Sequence, residues 1–329
     1  MTTFPQLGRR ALASLALAGA ALLAAPMAQA QYPERPVTLI VTYPPGGTVD
    51  VVARLIGPRL AARLGQPVVV ENRGGAGGMI GGAAAAKAKP DGYTLMLDAS
   101  NHAQNPALHS RMQFDTLKDF TAVSLLLRVP NVLVVAPDSP LKDVAQVIRE
   151  GKQTDGAPLY FASAGPGSAQ HLAGELFNLQ AGTQLEHVPY KGGGPAMIDV
   201  MSGQVPIMFA SMGSAWQHVK NGKLRAIAVG GDHRSAAAPD LPTIEESGVP
   251  GYASYEWNAV FAPTGTPPEI VEQVSQALAE VLKDEAIVTA LHGFGAEPIG
   301  SSPAELEAFR RSEIAKWQTV AQQAGLKLY

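Results

Sequence analysis

The sequence predicts an α/β protein built from two lobes, each with a largely parallel sheet, and three observations predict it. Short apolar segments alternate with helix-length segments along most of the chain. The 329 residues exceed one small domain, and 46% hydrophobic against 16% charged residues is a globular composition. Strands that alternate with helices are joined by crossovers, so they form parallel sheets.

Composition excludes several kinds of partner and site. The 25 Lys and Arg against 28 Asp and Glu give a net charge of −3 without a basic block, so nucleic acid is not an expected partner. The chain has no cysteine, which removes disulfides, thiol nucleophiles, iron–sulfur clusters and cysteine-ligated zinc. We expect neither a metal nor a cofactor.

The first thirty residues predict export. Arg9 and Arg10 precede an uninterrupted small apolar stretch over 11–25, and Ala28-Gln29-Ala30 has the pattern of a signal-peptidase site. The stretch is about 15 residues, too short for a comfortable membrane span of about 20. We therefore expect 1–30 to be a signal peptide that is cleaved after Ala30, and a periplasmic mature protein. Whether it leaves by the general or the twin-arginine route stays open.

The first lobe is predicted from the segments that open the mature chain. Its strands are predicted over 36–43, 67–71 and 93–98, and its helices over 48–64 and 79–89.

A second α/β unit follows. Its strands are predicted over 131–136, 159–162, 185–188, 207–210 and 225–229, and its helices over 141–150, 168–180, 196–202 and 215–220.

The end of the chain is mostly helical. After a Pro- and Gly-rich stretch over 236–251, a strand is predicted over 259–262 and helices over 268–283, 284–292 and 303–324. Because this part cannot bury a sheet of its own, we expect it to pack on the first lobe. Lobe 1 is then 31–128 with 231–329, and lobe 2 is 129–230. Two chain crossings, near 128–130 and 230–232, predict a hinge.

The loop from Tyr43 to Asp50 runs from a strand directly into a helix. Gly46 and Gly47 allow close backbone approach, and Thr48 can cap a helix whose free N–H groups attract an anion. An ordinary Gly-rich turn remains the alternative. Asp50 is either a first-turn acid stabilised by the helix dipole or an acceptor for a ligand ammonium or hydroxyl group.

Two further loops precede helices of the second lobe. In 163–168, Ser168 suits the N-cap and Ser163 offers a free hydroxyl, which together suit a carboxylate. His171 either points at the cleft or packs under the loop. The stretch 189–195 carries three glycines that expose backbone N–H groups before a helix.

The rim of the first lobe holds two more loops. The stretch 99–106 supplies short donors in Ser100, Asn101 and His102. The Gly-rich stretch 72–78 fails the dinucleotide fingerprint, since Ile80 stands where the third glycine belongs, and structural packing is the better interpretation.

Local enzyme motifs are not found. The chain has no G-x-S-x-G, H-E-x-x-H, P-loop or EF-hand pattern. A dispersed triad leaves no local trace, so an exported hydrolase that pairs Ser168 with His102 or His171 stays as the rival hypothesis.

A family resemblance spans nearly the whole mature chain. The segments "YPPGGTVDVVARLIGPRL", "GQPVVVENRGGAGGMIGG", "PDGYTL", "NPAL", "SAGPGSAQHLAGELF", "VPYKGGGPAMIDVMSGQV", "GKLRAIAVGG", "LPTIEESGVPGY" and "APTGTPPEIV" resemble the Bug-type receptors of tripartite tricarboxylate transporters. The resemblance implies a type II periplasmic binding protein fold, with two α/β lobes, a ligand cleft and a hinge. It also implies a small organic carboxylate as ligand and delivery to membrane transporter subunits or, in some members, a sensor. We expect a monomer.

The resemblance also implies a site at the loops chosen above. In that family the loops matched by 44–50 and 100–102 hold a carboxylate from the first lobe, and those matched by 163–168 and 190–194 approach from the second. The wall around "FASMGSA" lacks an acid, which disfavours an amino-acid ligand. The predicted ligand-binding residues are Tyr43, Pro45, Gly46, Gly47, Asp50, Ser100, Asn101, His102, Ser163, Gly165, Gly167, Ser168, Tyr190, Gly192, Ala210 and Trp257.

These residues are given roles by hypothesis. The backbone amides of five glycines are expected to coordinate carboxylate oxygens, while Ser100, Ser163 and Ser168 tune the geometry. Trp257 or Tyr43 is expected to cover the body of the ligand. The five glycines are Gly46, Gly47, Gly165, Gly167 and Gly192.

Overall fold

The chain folds around one sheet with two halves, and one long strand belongs to both halves. The computed structural model describes residues 32–46, 48–153 and 157–327. The predicted signal peptide lies outside the described residues and stays a prediction. Within those residues, no helix combines the length and the apolar character needed to cross a membrane.

Ten strands and ten helices are present in the described part of the chain. The strands are β1 (Val37–Val41), β2 (Val68–Asn72), β3 (Thr94–Ala99), β4 (Phe120–Val135), β5 (Tyr160–Ser163), β6 (Glu186–Pro189), β7 (Ile207–Ser211), β8 (Arg225–Val229), β9 (Tyr255–Pro263) and β10 (Glu297–Pro298). The helices are α1 (Thr48–Leu64), α2 (Met79–Ala86), α3 (Asn101–Leu108), α4 (Val144–Gly151), α5 (Ala169–Ala181), α6 (Gly193–Met201), α7 (Met212–Lys220), α8 (Pro268–Val281), α9 (Glu285–Gly293) and α10 (Pro303–Gln323).

The first half of the sheet runs in the order β2-β1-β3-β9-β4. Strands β1, β2 and β3 are parallel, and β9 lies antiparallel between β3 and β4. The apolar run of β1 suits this place, because a strand covered on both faces is apolar throughout rather than alternating. Helix α10 packs on β4 and α3, where the Arg310 guanidinium donates to the carbonyl of Phe120 at 3.1 Å.

The second half runs β4-β7-β5-β6, with β8 also paired to β4. Strand β4 changes partner along its length: Pro130 pairs with Tyr255 of β9, and Asn131 pairs with Ser211 of β7. The prediction of a strand limited to 131–136 after a crossing loop was therefore wrong. Pro130 has no N–H for the ladder and suggested a strand boundary, yet the strand continues through it.

A second difference concerns the stretch 99–106, which was predicted as a loop and forms the start of α3. His102 and Asn105 of this stretch are buried and hydrogen-bonded, so tertiary contacts hold the short helix despite Pro106. The Asn105 amide, for example, donates to the carbonyl of Gly77 at 2.9 Å. The other helices begin within a few residues of their predicted starts.

The segment that follows β8 contacts the second half of the sheet. The Tyr252 hydroxyl donates to the carbonyl of Ala173 on α5 at 3.0 Å, and the backbone N–H of Ser254 donates to the carbonyl of Gly230 at 2.7 Å. The chain enters β9 directly after Ser254. The lobe boundaries drawn from the sequence stay a prediction.

Candidate functional site

Three helices begin at one cavity of about 360 Å³. Residues from the first turns of α1, α3 and α5 line it, including Thr48, Asn101 and Ala169. The first N–H groups of a helix have no acceptor inside the helix, and the helix dipole is positive there. Polar donors and positive potential therefore converge on a space of the size that small metabolites occupy.

A second cavity of about 460 Å³ adjoins the first. Thr48, Val129, Gln170 and Glu256 line both. The second cavity is also lined by the first turns of α6 and α7, through the pairs Gly193-Gly194 and Gly213-Ser214. Among the residues that line the two, Glu256 is the one with a charged side chain.

The loop before α1 is held by Asp50. Its carboxylate accepts the backbone N–H of Gly46 at 2.9 Å and the side-chain amide of Asn72 at 2.8 Å, and it pairs with Arg54 at 2.9 Å. The Arg54 hydrogen bond, followed by the N–H of Gly46, lowers the pKa of Asp50 to about 2. Asp50 is buried and lines neither cavity, so it positions the loop.

Tyr43 joins this loop to α3. Its hydroxyl donates to the Asn101 side chain at 2.9 Å, and both residues line the first cavity. Burial, and then the charges of Asp98 and Glu256, raise the pKa of Tyr43 well above its usual value. Tyr43 is thus a neutral hydroxyl at the wall of the cavity.

His102 lies behind the cavity. Its Nδ1 is 3.1 Å from Asp98, its ring stacks on Phe261 at 4.0 Å between centroids, and it is 1% exposed. Ser100, in contrast, lines the first cavity as the N-cap residue of α3.

In the loop before α5, most of the groups that were predicted to bind the ligand are hydrogen-bonded within the chain. Ser163 is fully buried; its hydroxyl accepts the N–H of Gly165 at 3.0 Å and lies 2.5 Å from Nε2 of His187. The N–H of Gly167 donates to Nδ1 of His171 at 3.0 Å. Ser168 is the N-cap, as predicted, and it lines the first cavity.

The His187 ring lies in the same buried cluster. It stacks on His171 at 3.7 Å between ring centroids. Burial, and then the neighbouring His171, lower the pKa of His187 to about 4. The neutral ring is then available to accept from the Ser163 hydroxyl.

Three further predicted residues lie outside both cavities. The Tyr190 hydroxyl donates to Asp199 at 2.5 Å, and burial with this bond raises its pKa to about 12. The N–H of Gly192 donates to the carbonyl of Ala164 at 3.1 Å. Ala210 is fully buried in β7, and the next residue, Ser211, lines the second cavity instead.

Trp257 borders the first cavity, but its indole is committed elsewhere. The side chain is fully buried, and its N–H donates to Glu313 of α10 at 3.3 Å. Phe309 of the same helix packs edge-on against the ring. The hypothesis that this indole covers a ligand does not fit these contacts.

Seven of the sixteen predicted residues therefore line the two cavities: Tyr43, Pro45, Gly46, Ser100, Asn101, Ser168 and Trp257. Eight lie beside or behind them: Asp50, His102, Ser163, Gly165, Gly167, Tyr190, Gly192 and Ala210. Gly47 lies outside the described residues.

The proposed roles of the glycine amides need correction. Four of the five N–H groups already donate within the chain: those of Gly46, Gly165, Gly167 and Gly192. The donors that remain at the cavities belong to the first turns of the helices that follow these loops. The glycines shape the turns, and the helix starts carry the N–H groups.

Sequence reasoning missed several lining residues. Val49, Gln170, Glu256 and Asn258 all line the first cavity. Gln170 could have been found as the second residue of a helix with a predicted cap. Glu256 and Asn258 lie on β9, which returns from distant sequence beside β4, and no local signal marks them.

The hydrolase alternative is not assembled. The Ser168 hydroxyl accepts the backbone N–H of His171 at 3.2 Å, whereas Nδ1 of the His171 ring accepts the backbone N–H of Gly167. The His102 ring is held by Asp98.

Comparisons with known proteins place the chain in a family of receptors. The family model described as "Tripartite tricarboxylate transporter family receptor" matches residues 52–326. Protein BugT of Bordetella pertussis is 39% identical over 308 residues, covering 93% of this chain and 94% of that protein. The protein from the tcbD-tcbE intergenic region of a Pseudomonas strain is 37% identical, covering 94% of this chain and 92% of that protein.

Solved structures of the same kind superpose on the fold. R. palustris Rpa4515 with adipate has a TM-score of 0.78 at 37% identity, covering 90% of this chain and 100% of that one. MatC of Rhodopseudomonas palustris with bound malate has a TM-score of 0.72 at 34% identity, covering 88% of this chain and 99% of that one. The predicted periplasmic binding protein fold is thereby confirmed. These relatives are receptors rather than enzymes, and the chain belongs to the family of tripartite tricarboxylate transporter receptors, the Bug-type periplasmic solute-binding proteins.

Proposed function

We propose that this chain is an extracytoplasmic receptor that binds one small organic carboxylate in the two adjoining cavities. The single observation that supports this most is the convergence of the first turns of α1, α3 and α5 on one cavity without a basic side chain in its lining. Helix N-termini attract anions through free N–H groups and dipoles. The relatives with adipate and malate support a carboxylate as the ligand class.

The proposed contacts follow from the lining. N–H groups in the first turns of α1 and α5 hold the carboxylate, and the hydroxyls of Ser100 and Ser168 donate beside them. A micromolar affinity corresponds to about 8 kcal/mol, while one helix N-terminus contributes roughly 0.3–2 kcal/mol. Several helix starts must therefore act together, and closure of the two lobes over the ligand adds the desolvation that strengthens them.

The biological setting completes the proposal. The mature protein begins at Gln31 in the periplasm, acts as a monomer and hands its ligand to the membrane subunits of a tripartite tricarboxylate-type transporter. N-terminal sequencing of the periplasmic protein tests the cleavage site. Uptake of the labelled ligand by cells that lack the gene tests delivery, since transport persists unchanged if the receptor serves a sensor instead.

The first experiment is a thermal-shift and calorimetric screen of residues 31–329 after refolding to remove carried-over ligand. The panel holds mono-, di- and tricarboxylates with the matched amides and esters. A carboxylate that raises the melting temperature and stays intact by NMR supports the receptor, because a ligand of the native state stabilises it. Stabilisation by none of them, or turnover of an ester, overturns the proposal.

A substitution tests whether the first turn of α5 binds the carboxylate. Ala169→Pro removes the N–H at the first position of α5, where proline fits, and directs its ring to where that N–H pointed. We expect a loss of carboxylate binding with the fold kept. Glu285→Pro makes the same change at the first position of α9, outside both cavities, and should leave binding intact. Equal affinity in the two variants contradicts the assignment of α5.

A further inference from the structure

Glu256 is the acid that the sequence analysis did not find in the wall of the site. It lies on β9 between Tyr255 and Trp257, and it lines both cavities. Its Oε1 accepts the Gln170 side-chain amide at 2.6 Å, and a hydrogen bond from Ser211 also reaches the carboxylate. Both donors are neutral, and both come from the second half of the sheet and its helices.

The surroundings of this carboxylate hold no compensating cation among the described lining residues. On the neighbouring strand, Arg128 pairs with Asp232 at 3.5 Å and with Glu297 at 3.8 Å. From the loop before α1, Tyr43 faces Glu256 as a neutral hydroxyl, whose pKa is raised by burial and then by the charges of Asp98 and Glu256. Burial raises the pKa of Glu256, with only the Ser211 bond acting against that rise.

A partly buried carboxylate in this position gains most from a positively charged partner. An ammonium group offsets the free-energy cost of burying the charged carboxylate, while a second carboxylate adds like-charge repulsion. Residue Gln170 sets the spacing, since its backbone N–H belongs to the first turn of α5 and its side chain ends at Glu256. The anion donors and the acid are therefore separated by about one glutamine side chain.

We infer that Glu256 selects the ligand: the site prefers a short carboxylate with an ammonium group at its other end over a dicarboxylate of the same length. This rests on the proposed carboxylate receptor. It sets this chain apart from the two solved relatives whose structures hold adipate and malate. It also reverses the expectation that an amino-bearing ligand is disfavoured, because the acid comes from β9 rather than from the wall near Ser211.

The test uses matched probes of three to six carbons: ω-amino acids, α,ω-dicarboxylates and unsubstituted monocarboxylates, titrated by calorimetry into ligand-stripped protein at pH 7. We expect the best ω-amino acid to bind about tenfold tighter than the dicarboxylate of its length. This ratio corresponds to a difference of about 1.4 kcal/mol in binding free energy. Glu256→Gln keeps the shape and removes the charge. It should weaken the ω-amino acid, strengthen the dicarboxylate and abolish the preference.

A variant far from the site controls for the change in net charge. Glu269→Gln makes the same change in net charge on the exposed start of α8 and should keep the wild-type preference. A preference that survives in Glu256→Gln, or a wild type that favours the dicarboxylate, overturns the inference and leaves the receptor standing. If none of the carboxylates binds, the proposed function itself fails.

The wild type alone offers a second test should the variant fold poorly. Burial raises the pKa of Glu256, so lowering the pH should protonate it and reduce the ratio between the affinity of the ω-amino acid and that of the unsubstituted monocarboxylate of the same length. Tyr43 stays neutral on acidification, because its pKa is raised well above its usual value. A ratio that stays constant as the pH falls contradicts the inference.

Discussion

The Asp50 carboxylate accepts the backbone N–H of Gly46 at 2.9 Å, so an acid in the first turn of α1 holds the loop that leads into the same helix. Asn72 fastens this arrangement to β2 by donating both to Asp50 and to the carbonyl of Tyr43. Of the two roles considered for Asp50, acceptor for the ligand or acid of the first helical turn, the contacts favour the second.

Replacing Asp50 by Asn should therefore weaken binding without removing a ligand contact. The variant loses the ion pair with Arg54 and cannot accept from Gly46 and Asn72 equally well. We expect a loss of about 1–3 kcal/mol in the free energy of unfolding and a several-fold weaker ligand affinity. Chemical unfolding and calorimetry measure the two. Asp240→Asn, at an exposed acid, is the control, and unchanged affinity in Asp50→Asn would argue against a positioning role.

Much of the fold was predictable because its signals are local. The start of α5 follows from Ser168, whose hydroxyl caps the helix as the sequence indicated. The parallel strands β1, β2 and β3 follow from short apolar runs between helices. Strand β4 was not predictable in full, because Pro130 looks like a boundary and only the pairing with Tyr255 shows that the strand continues.

The site was predictable to the level of loops and not of atoms. The Gly-rich turns that precede helices do lead to the cavities, yet the N–H groups of Gly165 and Gly167 already donate to the side chains of Ser163 and His171. A sequence shows which residues can offer an N–H, but the tertiary structure decides which acceptor it meets. Glu256 reaches the site through the antiparallel pairing of β9 with β4, which no spacing near Gln170 foretells.

A substitution at Trp257 tests whether its buried indole, at the edge of the cavity, contacts the ligand or only stabilises the core. Trp257→Phe removes the N–H that donates to Glu313, while Trp317 still donates to that carboxylate at 3.1 Å. We expect a lower melting temperature, from about 1–3 kcal/mol of lost stability, with ligand affinity changed less than twofold. Thermal unfolding and calorimetry on the same preparation check it. A large loss of affinity in a stably folded variant would restore Trp257 as a ligand cover.

His187 should make stability depend on pH in a defined window. Its pKa is about 4 in the folded protein and about 6.5 in an unfolded chain, so the unfolded state binds the extra proton between these values. The contribution is fully present above pH 6.5 and is lost as the pH falls towards 4. One proton corresponds to a slope of up to about 1.4 kcal/mol per pH unit.

The matching variant is His187→Gln, which keeps a polar group near Ser163 and removes the titration. The free energy of unfolding, measured by urea from pH 4 to pH 8, should fall less steeply for the variant than for wild type below pH 6.5. Asp50, with its pKa of about 2, begins to lose its own contribution at the acid end of this range, but it does so in both proteins, so the difference between the two curves reports on His187. Parallel curves for the two proteins would contradict the assignment.

The packing of α5 against β5 depends on the absence of one side chain. A Cβ at Gly174 would lie 2.3 Å from the ring of Phe161, which is fully buried and cannot move aside freely. Gly174→Ala should therefore destabilise the protein by about 1–3 kcal/mol, even though alanine favours helices. Gly293→Ala, at a helical glycine with open space around it, should be neutral or slightly stabilising. Because α5 carries Ser168 and Gln170 to the cavities, Gly174→Ala should also weaken ligand binding, whereas Gly293→Ala should not. Urea unfolding and calorimetry of the two variants decide it, and equal stability would mean that the α5–β5 contact is looser than its geometry indicates.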